Sequence, residues 1–568
     1  MTSTKINTTS PKIAPELSTT SMTSNSVTTI DGTDGATSTS TTTSTRDVVV
    51  VYNAGVNAAD VMTADWLGGT RKAVYNKAGA ALYSISTSQL NSLALDSRVK
   101  YIASNRIVKG STEYARPAVG GEMAFTYGWT GTNIGIAIVD SGVNAAGDLV
   151  SSGQSRVVYS ESFVAGENTY DGYGHGTHVA AIAAGNGLMV GPGATRTFRG
   201  LAPMAKIISL KALSSNGTGT DASVIAAIDR AIELKNVYNI RVLNLSLGRL
   251  ILESWQTDPL CQAVDRAWKA GIVVVVAAGN NGRDGLMGTN GYSTITSPGN
   301  HPLVITVGAM RDMSTSAKTD DLIATYSSKG PTLRDQVVKP DLVAPGNQII
   351  SNIQPSVLTN MYGGSNWVQP SYYNPYYPYG YNYFKLSGTS MAAPVVSGAA
   401  ALLIQKYSWL SPDQVKGMLM KTATKGFQTN NSWTNPTNNI TYNANPDLFT
   451  VGAGYLDVWA ALNTADIPPA GYSAASPRVV FSGSTASLVH DTAQQATGST
   501  NVIWGSNVIW GTNVVWGTGV IWGTANVVEP TNVIWGTSGP AGFNVVWGTN
   551  VVWGTATPFA EGTSVQGE

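Results

Sequence analysis

Short apolar runs recur through the middle of the chain, and each has the length of a buried strand. These runs are 134–139, 205–210, 241–245, 272–276 and 303–307. Stretches with helical character lie between them, for example 222–235 and 259–270. Strands buried on both faces that alternate with helices are typical of a parallel sheet. We therefore expect a doubly wound, mostly parallel α/β sheet with functional residues at the carboxyl ends of its strands.

The N-terminal part divides into two segments with different patterns. Residues 1–45 are mostly Ser and Thr with few large apolar side chains, so we expect them to be disordered. Residues 46–112 read as strand, helix, strand, helix and strand, with apolar runs at 47–52 and 80–85. This second pattern predicts a small α+β domain that precedes the sheet, which we place at 113–462.

The C-terminal part is repetitive. After a linker at 463–500, rich in Ala, Ser, Pro and Gly, the pentapeptide 501–505 (NVIWG) recurs, at first every six residues. An even period keeps the same residues on each face of an extended chain, and the Gly-Ser/Thr-Asn triplets are alternatively turns between short strands. Residues 501–568 are thus either a β-prone, Trp-lined surface or a disordered low-complexity extension. The surface would suit self-association, docking to a cell surface or substrate binding.

Composition gives no support for nucleic-acid binding, for an intrachain disulfide or for a transmembrane segment. Among the 568 residues, Lys plus Arg equals Asp plus Glu at 34 each, so charge gives no argument for nucleic acid. The single cysteine, Cys261, excludes an intrachain disulfide. No run predicts a transmembrane segment, and the first residues lack the pattern of a signal peptide.

Three motifs carry the residue types of nucleophilic catalysis. Asp140 ends a predicted strand, His175 begins a predicted helix within 175–180 (HGTHVA), and Ser390 begins another within 388–394 (GTSMAAP). A serine hydroxyl needs a neighbouring base, and that base needs a partner to hold its tautomer. Asp140 alone has an ordinary alternative as a helix cap. The three motifs together, in the order Asp, His, Ser, indicate a catalytic triad.

These motifs make residues 113–462 resemble the subtilisin-like serine proteases, the subtilase family. The resemblance implies that Asp140 orients the imidazole, that His175 is the general base and then the general acid, and that Ser390 attacks the carbonyl. It also assigns Asn280 as a donor to the tetrahedral oxyanion. The alternative for Asn280 is a turn residue before Asn281 and Gly282.

The resemblance also implies where an extended peptide would bind. The residues assigned to the substrate strand and to the pocket for the P1 residue, which precedes the scissile bond, are Ser246, Leu247, Gly248, Ala278, Gly279 and Thr296. None of these side chains is charged. A buried Lys or Arg of a substrate would lack a partner there, so we expect neutral, mostly large apolar P1 residues.

Further expectations follow from the same family. Residues 46–112 resemble its inhibitory prodomain, which the enzyme would remove itself by a cut between about 108 and 120; a fixed accessory domain is the alternative. The chemistry needs no cofactor, and a structural calcium ion is compatible with the family although the sequence assigns no site. We expect a secreted or cell-surface endopeptidase whose partners are protein substrates and its own prodomain. The alternative class is an inactive binding protein, whose signature, a lost catalytic residue, is not found in this sequence.

A Tyr-rich insertion at 362–384 departs from the family pattern. It leads directly into the Ser390 motif, so we expect it near the leaving-group side of the cleft. Tyrosine offers broad contact area at a low cost in entropy. The insertion is therefore either a surface that grips substrate or a loop that packs on itself.

Overall fold

The chain forms two compact units, which are described separately. The computed structural model describes residues 10, 12–13, 26–30, 37–41, 45–53, 69–75, 79–104, 114–284, 289–376, 380–428, 431–436, 439–482, 485–489, 521–522, 533–535 and 559–560. The units are Met1–Lys109 and Gly110–Glu568. The boundary expected from the sequence lies three residues later, after residue 112.

In its described residues, the first unit is an antiparallel sheet with one helix packed on it. Its elements are β1 (Ser26–Ile30), β2 (Thr37–Thr41), β3 (Thr45–Tyr52), β4 (Thr70–Tyr75), β5 (Ala80–Ser86), α1 (Thr87–Ala94) and β6 (Val99–Ser104). The sheet has the order β4-β5-β3-β6, and β1 pairs with β2. A capping box begins α1, in which the Ser86 N–H donates to Gln89 Oε1 at 2.7 Å. Val50, Leu93 and Ile102 are buried in the core of the unit.

Two features of this unit differ from the expected pattern. The apolar pattern does not predict β4. This edge strand has only exposed or half-buried residues, so it contains no apolar run that would mark it as a strand. Strands β1 and β2 lie within the segment 1–45, where we expect disorder; their Thr residues favour strand structure. The helix expected near 58–62 lies outside the described residues.

The second unit is built on an eight-stranded sheet. Its strands are β7 (Gly135–Asp140), β10 (Val157–Ser162), β11 (Lys206–Lys211), β12 (Ile240–Leu245), β14 (Val273–Ala277), β15 (Ile305–Arg311), β16 (Leu322–Ile323) and β17 (Leu342–Pro345). The order is β10-β11-β7-β12-β14-β15, and β16 and β17 both pair with β15. Every pairing is parallel except that of β16. The predicted doubly wound α/β fold is confirmed.

The position of β7 fixes where a site can form. The chain leaves β7 towards β11 on one side and later returns to β12 on the other, so the strand order reverses at β7. At such a reversal the connections diverge and leave a crevice at the carboxyl ends of the strands. Asp140 is the last residue of β7 and therefore lies at the edge of this crevice.

Helices pack on both faces of the sheet. They are α2 (Ala115–Ala118), α3 (Gly121–Thr126), α4 (His175–Ala184), α5 (Asp221–Glu233), α6 (Lys235–Tyr238), α7 (Pro259–Lys269), α8 (Val357–Asn366), α9 (Pro370–Tyr373), α10 (Thr389–Lys406), α11 (Pro412–Thr422), α12 (Leu448–Val451) and α13 (Val458–Asn463). Short 3₁₀ turns occupy Gly147–Leu149 and Leu188–Val190. Almost every residue of α4 and α10 is buried, which explains why both helices are apolar on all sides.

The remaining strands are short. They are β8 (Val150–Ser151), β9 (Gln154–Ser155), β13 (Leu247–Gly248), β18 (Ile349–Asn352), β19 (Tyr383–Leu386), β20 (Ser432–Thr434), β21 (Thr441–Asn443), β22 (Arg478–Ser482), β23 (Thr485–Val489), β24 (Ile521–Trp522), β25 (Val533–Trp535) and β26 (Phe559–Ala560). Strands β22 to β25 form one sheet. Apart from β24, β25 and β26, the predicted repeat tail lies outside the described residues.

The Tyr-rich insertion packs onto the domain through part of its aromatic side chains. Tyr373 and Tyr383 are buried, with ring centroids 5.6 and 4.6 Å from that of Phe198. The Tyr383 hydroxyl donates to Asp148 Oδ2 at 2.8 Å, and both groups are buried. The exposed tyrosines of the insertion include Tyr372, Tyr376 and Tyr381. Tyr377 and Tyr379 lie outside the described residues. The insertion thus has one packed face and one aromatic face open to solvent.

Candidate active site

Asp140 and His175 meet at the carboxyl end of β7. His175 is the first residue of α4, and its Nδ1 lies 2.8 Å from Asp140 Oδ1 and 3.0 Å from Oδ2. Both side chains are fully buried. The Ser141 N–H donates to Asp140 Oδ1 at 2.7 Å, which fixes the carboxylate in turn. A carboxylate in this position holds the imidazole proton on Nδ1 and makes Nε2 the basic nitrogen.

A second buried carboxylate, Asp171, holds the first turn of α4. It accepts hydrogen bonds from the Gly174 N–H at 2.7 Å, the Thr177 N–H at 2.8 Å, the Thr177 hydroxyl at 2.6 Å and the Ser141 hydroxyl at 2.8 Å. The first N–H groups of a helix have no partner inside the helix, and Asp171 supplies one. The sequence pattern does not single out this residue. The available signal is an acid four residues before His175, although the N-cap position itself is occupied by Gly174.

Ser390 lies in the first turn of α10 and is tied to the start of β13. Its hydroxyl donates to the Ser246 carbonyl at 3.2 Å, and the Ser246 hydroxyl donates to the Ser390 carbonyl at 2.9 Å. Asn244 donates to Ser246 Oγ at 2.9 Å from the preceding strand. Ser390 is fully buried at the N-terminus of an 18-residue helix. The positive end of the helix dipole favours negative charge at this place.

Asn280 lies beside this turn and has an unused donor. Its Oδ1 accepts from the Thr389 N–H at 2.9 Å and the Thr389 hydroxyl at 3.2 Å. The Thr389 hydroxyl also accepts from the Gly279 N–H at 3.1 Å. These bonds hold the amide with its Nδ2 turned away from Thr389. That Nδ2 is buried and has no hydrogen-bond partner among the described residues.

Three of the residues predicted to form the pocket for the P1 side chain, Ala278, Gly279 and Thr296, lie against one another. Thr296 is buried, and its N–H donates to the Ala278 carbonyl at 3.1 Å. Gly279 has a φ of +105°, and a Cβ atom there would lie 2.7 Å from Ser328 Oγ and 2.9 Å from Thr296 Cγ2. Only glycine fits this position. Leu247 and Ala278 are buried as well. The walls of the predicted pocket are therefore formed by buried residues with uncharged side chains.

Comparison with known proteins places the chain in a family. Residues 131–454 match the model of the Subtilase family. The chain belongs to the subtilase family. It is 36% identical over 361 residues to serine protease AprX of Bacillus subtilis (strain 168), a match covering 61% of this chain and 75% of that protein. It is 34% identical over 312 residues to Subtilisin DY of Bacillus licheniformis, with 55% and 91% covered.

A solved structure also matches this subtilase. The crystal structure of a cold adapted subtilisin-like serine proteinase covers 53% of this chain and 85% of its own, at 28% identity and a TM-score of 0.38. The family and the relatives identify the chain as a subtilisin-like serine endopeptidase that acts on proteins. No helix in the described part of the chain is both long and apolar enough to cross a membrane. The described residues also hold no cluster of three or more His, Cys, Asp or Glu side chains arranged for a metal ion.

Behind the predicted substrate strand of the subtilase lies a buried charged group that the sequence does not reveal. Arg249 follows β13 and is 2% exposed. Its guanidinium lies 2.9 Å from Asp221 Oδ1 and 2.8 Å from Asp258 Oδ1. Its backbone exchanges two hydrogen bonds with Ser297, at 3.0 and 2.8 Å. Asp258 also accepts from the Ser297 hydroxyl at 2.7 Å. Arg249 thus connects the substrate strand, the start of α5 and the segment that follows Thr296.

The predicted substrate strand is itself paired in this structure. Strand β26 pairs with β13 antiparallel, with Ala560 opposite Leu247 and Phe559 opposite Gly248. A peptide that adds to a free strand edge does so through the same main-chain groups. A segment near the C-terminus of the subtilase therefore occupies two residues of the strand assigned to substrate.

Proposed function

We propose that this subtilase cleaves peptide bonds through Asp140, His175 and Ser390. In the first step His175 Nε2 takes the proton of the Ser390 hydroxyl while the serine oxygen bonds to the substrate carbonyl carbon. His175 then returns this proton to the leaving amine as the C–N bond breaks, which leaves an ester on Ser390. Water, deprotonated by the same imidazole, hydrolyses the ester. The observation that carries the proposal is the buried contact of 2.8 Å between Asp140 and His175.

Asn280 is proposed to bind the oxyanion of the tetrahedral intermediate. Its buried Nδ2 has no partner among the described residues, and a buried unpaired donor costs about 1–3 kcal/mol. A developing negative charge would supply the missing acceptor. The bonds between Asn280 Oδ1 and Thr389 fix the amide before substrate arrives. Such preorganised donors favour the transition state because they need no rearrangement when charge develops.

A preference for neutral P1 residues is proposed from the pocket walls. The assigned residues are all neutral, and Asp258, a buried acid that bonds to Ser297 next to Thr296, already forms an ion pair with Arg249. A substrate Lys or Arg would therefore lose its hydration without gaining a partner. We expect a peptide library to be cleaved mainly after large apolar residues. Cleavage restricted to bonds after basic residues would disprove this preference.

Labelling tests the proposed chemistry directly. Purified protein treated with a serine-directed fluorophosphonate should carry one adduct at Ser390, mapped by mass spectrometry. His175→Ala should abolish the adduct because the hydroxyl loses its base. His178→Ala is the matched control: His178 is fully buried, and its Nε2 lies 2.9 Å from the Phe384 carbonyl. A folded protein that is unlabelled at Ser390 would favour the inactive binding protein instead.

Residues 46–112 are proposed to be an inhibitory prodomain that the enzyme removes itself. The support is the resemblance to the family prodomain together with the separate α+β unit upstream of the catalytic domain. Ser390→Ala should leave the purified chain at full length. Trimming of that pure variant near residue 110 would exclude self-processing.

We also propose that the protein is secreted or lies at the cell surface, and that its repeat tail, residues 501–568, has a binding role. Support for the tail comes from seven copies of the Trp-containing motif between residues 501 and 554. Deletion of 501–568 should abolish binding to cells or self-association while proteolysis persists. A structural calcium ion remains compatible with the family, and we assign it no residues.

A further inference from the structure

A cavity separate from the active site contains an unusual concentration of arginine. It has a volume of about 220 Å³ and lies among α4, α10 and the segment before β18. Ile182 of α4 and Val395 of α10 line it, seven residues after His175 and five after Ser390, and neither His175 nor Ser390 is among its lining residues. Arg116, Arg199 and Arg311 all line the same cavity. Asp312 is the single acidic residue among its lining residues.

Arg116 is buried with part of its guanidinium unused. The residue is 4% exposed. Its Nη1 lies 2.7 Å from Glu122 Oε1, and its Nη2 donates to the Gly121 carbonyl at 3.1 Å. Its Nε is buried and has no partner among the described residues. Burial lowers the pKa of Arg116 to about 10, and the charge of Arg199 acts in the same direction. A buried cationic donor without an acceptor is costly unless something fills its place.

Arg199 lies close to Arg116 and has no acid to balance it. The two guanidinium groups stack on one ring, with their Cζ atoms 4.2 Å (Arg199) and 5.0 Å (Arg116) from the centroid of Phe125. Arg199 donates through Nε to the Asn186 carbonyl at 3.3 Å, a bond that does not use its two terminal nitrogens. No carboxylate of the described residues forms an ion pair with Arg199. Glu122 forms an ion pair with Arg116, while the charge of Arg199 acts unfavourably on Arg116, so an anion near both guanidinium groups would reduce their repulsion.

We propose that this cavity is a binding site for a small oxyanion, a phosphate or carboxylate group, held by Arg116 and Arg199. Guanidinium groups present a planar fork of donors that matches these anions, and such charge-assisted bonds are among the strongest in proteins. The cavity volume admits the anion together with ordered water or a small organic portion. The bound anion would balance Arg199 and supply an acceptor for Arg116 Nε.

The location suggests what the anion does. Arg116 belongs to α2, near the beginning of the second unit and within the region where the sequence predicts processing. Arg199 precedes Gly200, whose N–H donates to the Gly185 carbonyl at the end of α4. An anion shared by the two arginines would therefore fasten the N-terminal segment of the catalytic domain to the end of the helix that begins at His175.

Calorimetric titration tests the site. The full-length chain carrying Ser390→Ala, which prevents self-digestion, is titrated with inorganic phosphate at low ionic strength and separately with acetate. We expect saturable binding of one anion. Arg199→Gln should weaken it about tenfold or more, the worth of hydrogen bonds to a charged group. Arg266→Gln is the matched control, since Arg266 is exposed and pairs with Asp229 elsewhere on the domain, and it should leave the affinity unchanged.

Comparing the two anions shows whether the site binds a phosphate group, a carboxylate group or both. Binding of phosphate alone supports a phosphate group, binding of acetate alone supports a carboxylate, and binding of both supports their shared chemistry. At saturation the Tm should rise by about 2–4 °C in the parent and not in Arg199→Gln. Since phosphate also stabilises proteins by exclusion from their surface, an equal, non-saturating rise in both proteins would overturn the proposal. So would an affinity that Arg199→Gln does not change. Arg116→Gln is a second variant that should also weaken binding. Arg199→Gln is the primary test because Arg199 is only half-buried, so its replacement disturbs the fold less.

Discussion

A polar atom buried without a partner costs stability, so its presence in a fold needs a reason. Asn280 and Asp321 in the second unit are two examples, and the physical explanation differs between them. The Asn280 amide lies beside the turn of Ser390, and we propose that its buried Nδ2 binds an oxyanion that is present only during reaction. The Asp321 carboxylate is buried near β16, where both of its oxygens lack a hydrogen bond of normal geometry among the described residues. Replacing either residue should therefore have a measurable effect.

Replacing Asn280 by Ala should reduce kcat and leave KM nearly unchanged. The amide is proposed to contact charge that exists only in the transition state, so its loss does not weaken binding of the ground state. The expected fall is about 10²- to 10³-fold, the size known for removing this donor in this family. Steady-state kinetics on a peptide substrate measures it. Asn281→Ala is the matched control, and an increase in KM at constant kcat would assign Asn280 to substrate binding instead.

Replacing Asp321 by Asn should make stability less dependent on pH. Burial raises the pKa of Asp321 to about 7, and the charge of Asp312 adds to the effect. The folded state therefore holds this proton more tightly than the unfolded chain, whose aspartate pKa is ordinary. Stability contributed by the protonated form is present at about pH 4 and is lost as pH rises to about 7.

The free energy of unfolding should accordingly favour Asp321→Asn over the parent at pH 8 by up to about 4 kcal/mol, and by much less at pH 5. Urea unfolding at both values, in the Ser390→Ala background, measures the difference. Asp229→Asn serves as control because Asp229 lies on α5, is 47% exposed and pairs with Arg266. Asp320 is unsuitable because its charge also raises the pKa of Asp321. A constant difference between the two pH values would show that Asp321 does not titrate in this range.

At the scale of elements, Arg249 joins parts of the predicted substrate site that are far apart in sequence. It contacts Asp221 at the start of α5 and Asp258 at the start of α7, while its backbone pairs with Ser297. Arg249→Lys keeps the charge but loses the planar fork that reaches both acids. The substrate strand should then be held less rigidly, because β13 ends one residue before Arg249.

The expected result is a KM that depends on substrate length. For a tetrapeptide substrate, Arg249→Lys should raise KM about two- to tenfold, the worth of one or two main-chain hydrogen bonds. For an ester of a single blocked amino acid, which does not pair with β13, KM should stay the same. Arg241→Lys is the control, since Arg241 bonds the Ser408 and Leu410 carbonyls away from this site. An equal change for both substrates would indicate general loosening of the fold.

These elements also show what a sequence can predict. The end of β7 and the starts of α4 and α10 follow from local apolar patterns, so the sequence alone places Asp140, His175 and Ser390 on their elements. The roles of Asp171 and Arg249 depend on side chains that meet only after the sheet forms. Tyr383 and Asp148 are 235 residues apart, yet their hydrogen bond anchors the insertion. Local periodicity carries no information on such contacts.

At the scale of the whole molecule, the position of the proposed catalytic residues depends on one reversal in strand order. Asp140 lies at the end of β7, and the flanking strands β11 and β12 carry the chain to opposite sides. Helices α4 and α10 pack against each other, and His175 and Ser390 each lie in the first turn of their helix. This arrangement leaves the edge of β13 open to pairing, and the chain's own C-terminal segment uses it.

Removing residues 557–568 should therefore lower KM for peptide substrates. The pairing of β26 with β13 competes with a substrate for the same main-chain groups, and a tethered competitor acts at a high effective concentration. We expect KM to fall about two- to tenfold and kcat to stay unchanged, because the competitor touches none of the reacting groups once it has left. Initial rates on a short chromogenic peptide measure this, with mass spectrometry confirming the C-terminus of each protein. The matched control replaces residues 537–548 with Gly and Ser, which preserves Phe559 and Ala560. Equal KM values for the truncated and control proteins would show that β26 does not restrict access to the substrate strand.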